Sequence, residues 1–98
     1  MDKFKTIYLI LSALERAMDT GLDERELSAK RLGISESRFL ALLEMLQEEG
    51  LVSGLKIQEL AGGMRGYSID YLRITMKGLR YLEEDERMEE AYRALKGI

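Results

Sequence analysis

Two glycines, Gly33 and Gly50, frame a stretch whose pattern admits essentially one local structure. Between them Phe39, Leu42, Leu43 and Leu46 recur at i, i+3, i+4 and i+7, the spacing that lines one face of an α-helix. Ser35 and Ser37 offer hydroxyls to the amides at the start of such a helix, which have no partner inside it. Gly50 suits the left-handed residue just past its end, and Gly33 supplies a tight turn in front of it. Everything else in the chain is read against this capped helix.

The chain has 98 residues and 46% apolar content, which implies one domain spanning 1–98 with one core. It contains no cysteine and no histidine. Disulfides, thiolate or imidazole metal sites, and Ser-His or Cys-His nucleophilic pairs are therefore excluded. No window holds the roughly 18 apolar residues of a membrane span. The opening residues have a basic start and an apolar middle, as a signal peptide does. However, the apolar positions follow helical spacing, Glu15 and Arg16 interrupt them, and no small-residue cleavage site follows. The expectation is a cytoplasmic protein, not an enzyme, with no cofactor, metal or membrane partner.

A first helix is expected from about Asp2 to Asp19, with Phe4, Ile7, Tyr8, Leu11, Leu14 and Met18 as its stripe and Ile10 widening it. Thr20-Gly21 stops it. Asp23, with Glu26 three positions on, has the form of a capping box and predicts the start of a second helix leading to Leu32. After Gly50, alternation at Leu55 to Gln58 and at Tyr67, Ile69 and Tyr71 predicts two antiparallel strands. The glycine-rich run from Ala61 to Gly66 would be their tip, carrying Arg65, and the alternation breaks at Leu72 to Ile74. Thr75 then caps a helix with Met76, Leu79 and Leu82 facing the core. Asp85 caps a last one, in which Met88, Ala91, Tyr92 and Leu95 repeat at helical spacing and which ends at Gly97.

A helix, a turn, a second capped helix and a hairpin, in that order, outline a winged helix-turn-helix. The expected fold is α+β: a three-helix core, a β-hairpin wing over about 51–74, and additional C-terminal helices over about 75–96.

The segment Ile74-Thr75-Met76-Lys77-Gly78-Leu79-Arg80-Tyr81-Leu82 resembles the Ile-Thr-x-Lys-Gly-x-x-Tyr-Leu pattern found behind the wing in such regulators. Over nearly its full length the chain also resembles the YjcQ-like family of small bacterial and phage-associated winged-helix proteins. The likeness is carried by Leu32-Gly33-Ile34-Ser35-Glu36, by Leu43-Glu44-Met45-Leu46 followed by Glu49-Gly50, by Tyr81-Leu82-Glu83-Glu84, and by Leu95-Lys96-Gly97-Ile98. Asp85-Glu86 departs from the Asn-Ser expected there, keeping a capping residue while adding acidity. The resemblance implies a winged-helix fold and a regulatory role.

In a helix-turn-helix the second helix enters the major groove through its first residues, and a wing reaches the backbone or minor groove. The net charge is −3, but it is unevenly spread. Residues 35–49 carry one basic and four acidic side chains, whereas residues 51–82 carry five basic and two acidic. The expected contacts to duplex DNA are Lys30, Arg31, Ser35, Ser37 and Arg38 around the turn, with Lys56 and Arg65 on the wing. Four phosphate contacts make a weak monomeric binder, so a homodimer through the first and the C-terminal helices is expected. The competing reading is a protein-interaction or dimerisation module without DNA binding, using Leu40 and Met45 as an exposed apolar surface.

Overall fold

The computed structural model describes the backbone of residues 3–96 and the side chains of residues 3–86. Among the described residues four α-helices and two short antiparallel strand pairs make an α+β fold. The helices are α1 (Lys3–Thr20), α2 (Ala29–Leu32), α3 (Glu36–Glu48) and α4 (Met76–Lys96); the strands are β1 (Val52–Ser53), β2 (Lys56–Glu59), β3 (Arg65–Ser68) and β4 (Arg73–Ile74). β2 pairs with β3 as a hairpin, Lys56 opposite Ser68 and Glu59 opposite Arg65. β1 pairs with β4 at its base. One core holds the layers together: Ile10, Leu11 and Leu14 of α1, Leu27, then Phe39, Leu43 and Leu46 of α3, Val52, Ile74, and Leu82 of α4.

α3 forms where the sequence places it, and for the expected reasons. The Ser35 hydroxyl accepts from the Arg38 amide at 3.1 Å, and Gly50 has φ of +77°. The preceding turn closes through Gly33, at φ +71°, with the Ile34 amide donating to the Ala29 carbonyl at 3.0 Å.

The second helix is shorter than expected. Asp23 does not cap a helix; its carboxylate accepts from the Arg25 amide at 2.9 Å and from the Arg25 guanidinium, which closes a local turn. Those hydrogen bonds from Arg25 hold the Asp23 carboxyl below its ordinary range. The true cap is Ser28, whose hydroxyl accepts from the Arg31 amide.

Two apolar stripes also shift. On α1, Phe4 is 70% exposed and Met18 is exposed as well, because the buried face runs through Thr6, Ile10, Ala13 and Leu14. On α4, Met76 is exposed while Leu82 is buried and Leu79 and Tyr81 are half-buried. α4 is moreover one continuous helix through Asp85, in place of the two helices expected there. The expected helix start at Asp2, the stripe of Met88, Ala91, Tyr92 and Leu95, and the stop at Gly97 lie outside the described residues.

The expected strand through Ile69 and Tyr71 ends at Ser68; a turn, closed by the Leu72 amide on the Ile69 carbonyl at 3.1 Å, separates β3 from β4. The joint between α3 and α4 is built by the Thr75 region. The Thr75 hydroxyl donates to the Gly50 carbonyl at 2.6 Å and accepts from the Gly78 amide at 3.0 Å. The Lys77 ammonium donates to the Glu49 carbonyl at 2.7 Å. Together they bond the two carbonyls that follow the last residue of α3.

Candidate nucleic-acid interface

The residues expected to meet DNA divide into two groups. Lys30, Arg31, Ser35, Ser37 and Arg38 lie together at the corner where α2 turns into α3, and all five are exposed. Among the described residues none pairs with the side chains of Lys30, Arg31 or Arg38. Ser35 accepts its capping bond and keeps its own hydroxyl hydrogen to donate. This corner also gains a cation that sequence reasoning did not use. α1 sets Lys3 and Thr6 across a shallow groove from Ser35, Ser37 and Arg38, with Ala41, Leu42 and Met45 as its floor. The signal was the basic opening Lys3-Phe4-Lys5, but no local pattern says that it returns beside α3.

Lys56 and Arg65 form the second group, and both are engaged within the fold. The Lys56 ammonium lies over the Tyr71 ring, 4.8 Å from its centre, where the electron-rich face attracts it. Arg65 does not project from the hairpin tip. The tip is Leu60 to Met64, closed by the Leu60 amide on the Met64 carbonyl and turned by Gly62 and Gly63 at positive φ. Arg65 is the first residue of β3, and its guanidinium donates to the Glu44 carboxylate of α3 at 2.9 Å. That hydrogen bond raises the Arg65 pKa.

Period-two alternation puts Arg65 and Tyr67 on the same face of β3, and that face lies against α3. Tyr67 donates its hydroxyl to Glu36 at 2.5 Å and sets its ring edge-on to Phe39, centroids 6.1 Å apart. Burial, reinforced by the bond to Glu36, pushes the Tyr67 phenol well above its ordinary pKa. Glu36, Leu40 and Glu44 therefore form the α3 stripe, spaced by four, that faces the hairpin. This corrects the expected exposed pair: Leu40 is 8% exposed and lines the cleft between α3 and the hairpin with Arg65 and Tyr67, whereas Met45, on the opposite flank, is 57% exposed. α3 thus has a cationic flank towards Lys3 and an acidic flank towards the hairpin.

Among the described residues no helix is long and apolar enough to cross a membrane, and no cluster of three or more acidic residues could hold a metal ion. Residues 8–98 match the model of a family described as YjcQ protein. No curated protein and no solved structure matches the chain.

Proposed function

The chain belongs to the YjcQ protein family, and from that premise we propose that it is a winged-helix regulator that binds duplex DNA. α3 enters the major groove by its first turn, and the β2–β3 hairpin is the wing, lying along the backbone. The observation that carries this reading is the α2–α3 corner. Lys3 and Arg38 share a groove with the two serines there, and Lys30 and Arg31 are exposed on α2 just before the turn; Lys30, Arg31 and Arg38 are unpaired among the described residues. The lysines and Arg31 hold phosphates; Ser35, Ser37 and Arg38 are placed to reach base edges or the flanking backbone. About four phosphate contacts per copy give weak binding, so the regulator acts as a homodimer with α1 and α4 at the contact.

Arg38→Glu tests the corner. Its backbone cap and the buried face of α3 stay intact, so circular dichroism is unchanged. Affinity for a labelled random duplex at low salt falls by about tenfold or more, on the scale of one charge-assisted hydrogen bond. Undiminished binding by Arg38→Glu would remove α3 from the interface.

A protein-interaction module is the second reading, favoured by one feature. Met45 borders an apolar groove lined by Ile7, Leu42, Leu46, Leu51 and Tyr81, and Phe4 is exposed at the start of α1. On that reading the chain binds no duplex at low salt, and Met45→Asp abolishes self-association in light scattering.

A further inference from the structure

The two carboxylates on the acidic flank of α3 do opposite work from the cations on the other flank. Glu36 is in the first turn of the helix and takes the Tyr67 hydroxyl; Glu44, two turns on, takes the Arg65 guanidinium. Between them Leu40 is buried and lines the cleft that α3 shares with Arg65 and Tyr67 of β3. The hairpin is thus held to α3 at two points on either side of an apolar contact, and one of the two hydrogen-bond donors is a cation of the expected DNA surface.

We propose that Glu36 and Glu44 are positioning residues that hold the hairpin on α3, and that Glu44 limits DNA affinity by keeping Arg65 from a phosphate. The proposal rests on the DNA-binding reading for its second half only. Its physical basis is competition for one guanidinium. In the free protein Arg65 already has an anionic partner at 2.9 Å. Turning it to a phosphate leaves Glu44, half-buried on α3, without its cation and close to the DNA backbone. The exchange of one anion for another gains little, and the uncovered carboxylate repels the duplex. Neutralising Glu44 removes both obstacles while leaving an amide of the same shape to support the hairpin.

The control lies on the same helix. Glu48 is one turn beyond Glu44, exposed, and has no partner among the described residues. Glu48→Gln removes the same formal charge without releasing Arg65. Fluorescence anisotropy with a labelled random duplex compares the two variants. Glu44→Gln is expected to tighten binding by about fivefold, and to steepen the slope of log affinity against log salt by about 0.9, one further phosphate contact. Glu48→Gln is expected to tighten it by less than about twofold with the slope unchanged, as a general change in net charge does. Equal effects of the two substitutions would overturn the affinity-limiting role.

Hydrogen exchange of the free protein tests the positioning role without DNA. Glu44→Ala should speed exchange of the β3 amides, residues 65–68, by about fivefold relative to those of α1. Unchanged exchange overturns the positioning role whatever the DNA result. Faster exchange together with no duplex binding by wild type or Glu44→Gln overturns the affinity-limiting role and the DNA-binding reading, and leaves Glu44 as a hairpin anchor.

Discussion

Replacing Gly54 by alanine is expected to remove a large share of the chain's stability at 25 °C. Gly54 joins β1 to β2 at φ +88°, a conformation in which an L side chain is strained by about 1–2 kcal/mol. Strain is the smaller part. A methyl group there would sit 1.9 Å from the Tyr71 carbonyl oxygen and 2.7 Å from its carbon. These are backbone atoms of the turn between β3 and β4, so no side chain can rotate away. Relief requires separating two connections whose neighbours Val52, Leu55, Leu72 and Ile74 are all core residues. A loss of about 4 kcal/mol or more is expected, against a total stability of about 5–15 kcal/mol for a domain of this kind. Gly62 separates the two causes. It has φ +79° with nothing within 4 Å, so Gly62→Ala carries the backbone strain alone and should cost about 1–2 kcal/mol. Urea denaturation of the pair measures the difference. Similar losses would mean that the approach of the Tyr71 carbonyl to Gly54 is looser than described.

Gly78→Ala should destabilise by about 3 kcal/mol, against the direction that helix propensity gives. Inside an exposed helix alanine is better than glycine by about 1 kcal/mol. Gly78 is in the first turn of α4 but is buried, and a methyl group there would meet the Leu51 carbonyl oxygen at 2.2 Å and Ile74 Cγ1 at 2.7 Å. α4 cannot withdraw to make room, because Thr75 and Lys77 bond it to the carbonyls of Gly50 and Glu49. Overpacking of this sort costs typically 1–3 kcal/mol, with a carbonyl at 2.2 Å at the upper end. The Thr-x-Lys-Gly run thus has one physical meaning: threonine caps α4, lysine bonds the carbonyl just past α3, and glycine lets α4 sit against the Leu51 carbonyl and Ile74. A denaturation midpoint equal to or above wild type for Gly78→Ala would contradict that packing.

What could be read from the sequence was what is local. The start and stop of α3 depend on Ser35, Gly33 and Gly50 acting within a turn of themselves, and the structure uses each as expected. Two local patterns misled because each fits two structures. Asp23 with Glu26 spells a capping box, yet Asp23 spends its carboxylate on Arg25, and Ser28 begins the helix instead. Asp85 reads as a cap, yet between Leu79 and Lys96 no glycine or proline breaks the helix, and α4 runs through it.

The remaining differences are tertiary. Leu40 lies on an otherwise polar stripe of α3, yet it is buried beside the hairpin residues Arg65 and Tyr67. Arg65 finds Glu44 across 21 residues, a pairing that periodicity cannot show. Lys3 joins the α2–α3 corner only because α1 packs so that its first turn lies beside that of α3. The candidate interface was therefore half legible. The corner residues were visible because they flank a turn, and the state of the hairpin cations was not, because it is set by the fold.

The most direct test of the DNA-binding account is a salt titration of the wild-type protein on a labelled random duplex. With Lys3, Lys30, Arg31 and Arg38 as the contacts, log affinity should fall against log salt with a slope of about −3 to −4 per protomer. No binding at low salt by a folded protein, or binding with a slope near zero, would contradict it.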